Sequence, residues 1–344
     1  MAQPKLIPAG KLPLRLLEKL LSSCTIPSSS GVVLGPRYGE DAAVLETSGK
    51  YLVAKTDPIT FTADRIGWYA VNINANDLAT LGARPRWFLA TFLFPEGRTT
   101  EALVEKVFNQ TQRACAALGI TLCGGHTEIT VGLDRPIVVG QMLGEVAPDK
   151  LVRKDRQQPG DLVILTKGVA IEGTTILARE KAGRLRGMIS SKRLQEALRL
   201  LTKPGISVVR DAQIALKHGE VHAMHDPTEG GLLTAVVELA RAGGVGMRIV
   251  KDRVPVLAET RTLAKALDFD PLGLLASGAL LIVAEKGSAS RIVAALHRRH
   301  IAARIIGEVC KPEEGITIVE NGRTRPIVLP ERDEIARLLG ETAR

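Results

Sequence analysis

The chain has 344 residues, 45% hydrophobic and 24% charged, the composition of an ordinary soluble globular protein long enough for two domains. No stretch approaches the roughly 20 continuous apolar residues of a membrane span, and "MAQPKLIPAGKLPLRLLEKLL" has no compact apolar run with a cleavage site, so a cytoplasmic protein is expected. The net charge of +9 is dispersed, and only 3% of residues are aromatic, which excludes a basic, stacking nucleic-acid surface.

"KLPLRLLEKLLSS" predicts a short helix from its leucine spacing, and "TIPSSSGVVLGPRYGEDAAVL" a mobile loop leading into a strand. "YLVAKTD" predicts a strand with Val53, Lys55 and Asp57 on one face. A helix over "DRIGWYAVNINANDLATLG", a strand over "RWFLATFLF" and an amphipathic helix over "EALVEKVFNQTQRACAALG" follow. "TLCGGHTEIT" predicts a strand entering a Gly-Gly turn, and "RPIVVGQMLGEV" another strand. The polar "APDKLVRKDRQQPGD" sets a domain boundary near residue 155. Beyond it come strand "DLVILT", helices across 171–217, strand "VHAMHD", helix "GGLLTAVVELARAGG" and strand "VGMRIV". Strand "GALLIVAE", helix "SASRIVAALHRRH" and strand "AARIIGEV" complete the pattern. The alternation predicts two domains of α+β or α/β type: a helix and mobile loop over 1–34, a first domain over 35–155, and a second over 156–344 ending in a helix.

Four acidic positions stand beside small or helix-breaking residues: Asp41 in "YGEDAAV", Asp57 before Pro58, Asp77 in "NINANDLATLG" and Asp226 in "HDPTEGG". Asn72, Asn74, Asn76 and Asp77 crowd a helix that such residues weaken, which points to a polar face with a use. Gly230 and Gly231 open a helix at about 1 kcal/mol each against alanine, and a bare helix start suits an anion. Several carboxylates among glycine turns suit Mg²⁺, which takes one or two carboxylates plus substrate phosphates. His218, His222 and His225 lie across a loop-to-strand junction rather than on one helix face, so zinc is not expected. No GxxxxGK[ST] and no GxGxxG after a strand is present. Cys24, Cys115, Cys123 and Cys310 form no CxxC pair and read as reduced thiols.

In order, "GEDAAVL", "KTDPI", "NDLATLGARP", "GGHTE", "PGDLVILTKG" and "HDPTEGGL" resemble the aminoimidazole-ribonucleotide (AIR) synthetase-like superfamily. That group contains thiamine-monophosphate kinase, selenophosphate synthetase and the hydrogenase-maturation proteins, and this chain is most similar to the last branch. The resemblance implies an N-terminal α+β domain whose strands pair in a homodimer, a C-terminal α/β domain, and ATP with Mg²⁺ in the cleft between them. Carried over by motif, Asp41, Asp57, Asp77 and Asp226 match metal positions. Gly39, Lys55, Asn76, Gly124, Gly125, His126, Thr228, Gly230 and Gly231 match nucleotide-binding positions. No catalytic residue is assigned.

This chain departs from the hydrogenase-maturation pattern in several places. "TKGVAIEGTTIL" stands where that branch has a Gly-Asp-His-Gly turn, and His225 replaces a basic arginine. His126 stands where thiamine-monophosphate kinase has aspartate, and no reactive Cys-Lys pair of the selenophosphate branch is found. That branch also carries a carboxamide on a terminal cysteine. Here the last cysteine is Cys310, so a chain that uses ATP without cyanylating itself is expected. The implied function is ATP-dependent activation of an acceptor oxygen in hydrogenase maturation, with a maturation partner protein. A thiamine-monophosphate-kinase-like small-molecule kinase and a nucleotide-responsive maturation scaffold without turnover are the alternatives.

Overall fold

The computed structural model describes residues 12, 14–37, 39–329 and 333–340. Residues 1–11 of the expected N-terminal segment lie outside them.

The first half builds a six-stranded sheet from β1 (Val32–Leu34), β2 (Ala43–Thr47), β3 (Lys50–Ile59), β4 (Arg84–Pro95), β5 (Thr121–Thr130) and β6 (Ile137–Val146). Its order is β1-β2-β3-β6-β4-β5, antiparallel except between β4 and β5. The helices here are α1 (Leu14–Ser22), α2 (Ile66–Thr80) and α3 (Glu101–Leu118). Alternation in β4 buries Phe88, Ala90, Phe92 and Phe94 on the helix-covered face. Phe92 stacks on Phe108 of α3 with ring centroids 4.4 Å apart. Thr100 opens α3 by accepting from the Leu103 amide at 3.3 Å, and Gly119 at φ 66° closes it.

The second half builds a seven-stranded sheet from β7 (Leu162–Thr166), β8 (Val221–His225), β9 (Gly246–Val250), β10 (Leu281–Ala284), β11 (Ala303–Cys310), β12 (Ile316–Glu320) and β13 (Arg323–Pro326). Around it lie α4 (Ile171–Glu180), α5 (Ala182–Leu185), α6 (Ser191–Arg199), α7 (Val209–His218), α8 (Gly231–Gly243), α9 (Ala258–Leu267), α10 (Lys286–Arg298) and α11 (Glu334–Gly340). The order is β13-β12-β9-β11-β7-β10-β8, with only β9 and β12 parallel. Every residue of β10 is buried, as expected for a strand covered on both faces. Strands β12 and β13 and helix α9 are absent from the sequence reading, because "ITIVE" and "RTRP" are short and polar-edged.

Helix α2 is central. All its residues except Trp68 are buried, because it packs on β3, β4 and β6 on one side and on α7 and β8 on the other. The segment between the sheets, read from its polar composition as a domain boundary, is also packed. Lys154 and Gln157 are buried there, and the Gln157 amide donates to the carbonyls of Lys154 and Leu239 at 2.8 Å each.

One expectation changes on seeing the sheet. The Gly-Gly pair is no turn: β5 runs straight through Gly124 and Gly125 beside β4, with a register shift at Phe88–Leu89. Gly125 has φ 147°, and a Cβ there would overlap the Ala90 carbonyl, whereas one on Gly124 would meet only Leu89 at 3.7 Å. Gly125→Ala is therefore expected to destabilise by about 2–3 kcal/mol and Gly124→Ala to be near neutral, measured by thermal denaturation. Strands β3 and β6, built from the "YLVAKTD" and "RPIVVGQMLGEV" segments where the resemblance implies a homodimer interface, are inner strands whose backbones are paired within the chain. They offer a face, with Leu52, Val139 and Leu143 half-buried, and the sheet's unpaired edges among the described residues are those of β1 and β5. Among the described residues, no helix is long and apolar enough to cross a membrane.

Candidate functional site

A cleft of about 750 Å³ opens between the two sheets. Its floor is polar because four elements end there with carboxylates. Asp41 precedes β2, Asp57 lies on β3, Asp77 in the last turn of α2, and Asp226 directly after β8. Lys55, two residues from Asp57, shares its strand face and reaches Asp77 at 3.3 Å and Asp57 at 3.6 Å. Burial works to lower the Lys55 pKa, but the Asp77 and Asp57 carboxylates outweigh it and hold it above its ordinary value.

Asp41, His225 and Asp226 bring one ligand atom each to within 4.8 Å of one another, and all three are buried. His225 Nδ1 lies 2.8 Å from Asp41 and Nε2 lies 3.0 Å from Glu238, so both ring nitrogens face carboxylates. Burial acts against the imidazolium, yet the Asp41 charge raises the His225 pKa. Asp41 also accepts from Thr80 at 2.8 Å and pairs with Lys154 at 2.9 Å. Burial opposes its ionisation, but His225 and Lys154 hold its carboxyl well below the usual carboxylate range. Asp226 is different. It is fully buried, and neither carboxylate oxygen has a hydrogen-bond partner among the described residues. Burial first, then the charges of Asp77 and Asp41, push its pKa well above the ordinary value. A buried acid without a donor is costly unless a cation completes it, and this oxygen-rich set suits a hard divalent ion such as Mg²⁺. The histidines do not make a zinc site: His222 bonds Asp161 at 2.7 Å, and His218 contacts the Ile214 carbonyl at 2.9 Å.

The other residues singled out by sequence divide into two groups. Lys55, Gly39 and Thr228 line the cleft. Gly39 has φ 81°, and its carbonyl accepts from Lys154. Asn76 instead joins the two halves, donating to the Ile206 carbonyl at 2.9 Å and accepting from the Val208 amide at 2.8 Å. Asn74 likewise donates to the Asp57 carbonyl at 3.2 Å, which fixes the strand that carries Lys55. Gly124, Gly125 and His126 lie on edge strand β5, outside the cleft lining, with His126 3.5 Å from Glu128.

Gly230 and Gly231, at φ 77° and 65°, do open α8. A Cβ on Gly231 would overlap the Leu272 carbonyl, so tight packing already requires glycine there. The exposed helix start expected from sequence is engaged by the chain's own anion, since the Gly230 amide donates to Asp333 just before α11.

Sequence reasoning passed over Lys154, Glu172 and Ser277. Each is a single residue in an unremarkable context, and only "TKGVAIEGTTIL", set apart as a departure from the family pattern, pointed near Glu172.

The family descriptions "AIR synthase related protein, N-terminal domain" and "C-terminal domain" match residues 39–146 and 158–320. A hydrogenase expression/formation protein of Methanocaldococcus jannaschii is 27% identical over 339 residues, 96% of this chain and 97% of that one. The carbamoyl dehydratase HypE of Rhodobacter capsulatus is 30% identical over 298 residues, covering 84% of this chain and 83% of its own. A solved structure of the hydrogenase maturation protein HypE in complex with ATP is 26% identical and covers 86% of this chain and 90% of that one, with a TM-score of 0.71. This chain belongs to the AIR synthase related family, in which it is similar to the hydrogenase expression/formation proteins.

Proposed function

We propose that the chain binds ATP with Mg²⁺ in the cleft and transfers the γ-phosphoryl group to an oxygen of an acceptor, as a hydrogenase-maturation-related enzyme. The observation that carries this reading is Asp226, a wholly buried carboxylate with no donor, beside Asp41 at the floor of a cleft large enough for a nucleotide. Asp57, Asp77 and Asp226, with Asp41, are the residues to hold the metal. Mg²⁺, when bound, supplies charge that offsets the phosphates. Lys55 places an ammonium beside the same carboxylates, suited to orient a phosphate. Phosphoryl transfer asks for little else than this positioning and charge.

Asp57→Asn keeps the shape and removes one metal-facing charge. Calorimetry with a non-hydrolysable ATP analogue is expected to show Mg²⁺-dependent affinity falling about tenfold or more, the scale of losing one charged ligand interaction. Unchanged affinity would remove Asp57 from the site.

The same reading includes a homodimer, a maturation partner protein that presents the acceptor, and action in the cytoplasm. Four free cysteines are in keeping with a reducing compartment. The half-buried sheet face with Leu52, Val139 and Leu143, continuous with the unpaired β5 edge, supports the dimer. Ile129 and Val131, 54% and 72% exposed, stand near the end of that edge strand. Light scattering at micromolar concentration is expected to give twice the 36.9 kDa chain mass. A single-chain mass alone would exclude the dimer.

A further inference from the structure

Outside the cleft, a second hollow of about 460 Å³ lies where the first turn of α2 meets α3. Lys106, Asn109, Gln110 and Arg113 recur at helical spacing, so they share one face of α3. Buried Val107, Thr111 and Ala114 hold that helix against the body of the protein. The two helices approach closely at Gly67, where a Cβ would run into Thr111 and the Val107 carbonyl. The Gln110 side-chain oxygen accepts from the Gly67 amide at 3.4 Å and ties the first turn of α2 to the same face. With that oxygen taken, the Gln110 side chain is left an NH₂ group to donate. Arg65 and Trp68 complete the hollow from the α2 side, and none of its lining residues borders the cleft.

The charge there is one-sided. Arg65, Lys106 and Arg113 line the hollow, and no carboxylate does. Lys106 has Asp64 only at 3.9 Å, and Asp64 sits closer to Arg179, at 2.9 Å. Arg65 and Arg113 form no ion pair among the described residues. Cations gathered around one cavity repel one another until an anion offsets them. The Trp68 indole gives the hollow an aromatic wall. Its Nε1 is enclosed and has no acceptor among the described residues, where a buried indole ordinarily finds one. Guanidinium forks match the oxygens of a phosphate, and the aromatic wall suits an apolar group attached to it.

We propose that this hollow binds a small organic phosphate, its phosphate held by Arg65, Lys106 and Arg113 and its organic group set against Trp68. Asn109 and Gln110 add neutral amide donors. At about 460 Å³ the hollow falls in the range of small-molecule pockets and exceeds what inorganic phosphate alone fills. The site stands apart from the cleft and does not depend on the ATP reading.

The chain has two tryptophans, so Trp87→Phe leaves Trp68 as the sole indole reporter. Phenyl phosphate and inorganic phosphate are titrated into the full chain in EDTA, read by Trp68 fluorescence in that variant and by calorimetry on the unsubstituted chain. Phenyl phosphate is expected to bind roughly tenfold more tightly than inorganic phosphate, because its ring is buried as well. Arg113→Gln and Lys106→Gln should each weaken phenyl phosphate about tenfold, the loss of one charge-assisted contact. Both residues are exposed, so the thermal transition should stay where it is in the wild type. A parallel titration with Mg²⁺ and a saturating non-hydrolysable ATP analogue should leave the affinity within about twofold, as for separate sites. No saturable response, a response reproduced by sodium chloride at equal ionic strength, or unchanged affinity in both variants would overturn the proposal. Competition by the ATP analogue that persists in Arg113→Gln would overturn it too, by placing the phosphate in the cleft. Inorganic phosphate binding as tightly as phenyl phosphate would overturn the assignment of an organic ligand.

Discussion

Asp226→Asn is expected to make the metal-free protein more stable while removing its Mg²⁺-dependent nucleotide binding. The carboxylate is fully buried with both oxygens unpartnered, and a neutral amide relieves that penalty and can donate to neighbouring Asp41. Relief of one unsatisfied buried group is worth about 2 kcal/mol, or roughly 4–8 °C in Tm for a domain of this size. The sign with pH follows from the raised folded-state pKa. Between the ordinary carboxylate pKa of the unfolded chain and the higher folded value, the folded state holds the extra proton, so wild-type stability falls as pH rises through that window. Asparagine does not titrate. The Tm advantage of the variant, measured in EDTA, should therefore be small below the ordinary aspartate pKa and widen as pH rises. A variant less stable than wild type at neutral pH, or one that binds the Mg²⁺-nucleotide analogue normally, would contradict this account.

Lys154→Met has an effect of opposite sign. Lys154 is 1% exposed and pairs with Asp41 at 2.9 Å while donating to the Gly39 carbonyl. Removing one partner of a buried pair leaves the other charge inadequately compensated, a loss of about 3–5 kcal/mol. The expected fall in Tm is roughly 6–20 °C. Because Lys154 comes from the segment between the sheets and Asp41 from the loop before β2, the variant should also loosen the cleft-lining loop at Gly39, seen as faster amide exchange there. The double variant Lys154→Met/Asp41→Asn removes both charges together and should recover part of the loss. Additive losses in that cycle would show that the two side chains are not coupled.

The sequence by itself determined the local elements and the chemical character of the site. Periodicity in "RWFLATFLF" placed β4, and the helix-ending Gly119 placed the end of α3, because side-chain alternation and left-handed glycine caps are set by neighbours within a turn or two. Asp41, Asp57, Asp77 and Asp226 stood out because each stands beside small or helix-breaking residues, and Asp77 in addition lies in a helix that such residues weaken. Only the tertiary structure decided which of the marked residues share a cleft. It brought Lys55 and the four aspartates together and left Gly125 to fit against β4 and His126 on an exposed edge. It turned Asn76 into a bridge between the two halves and set Asp333 against the α8 start that had looked open to phosphate. Lys154, Glu172 and Ser277 gave little local sign. Their positions are set by burial and, for all three, by partners over a hundred residues away, and such desolvation is a property of packing that no short window of sequence contains.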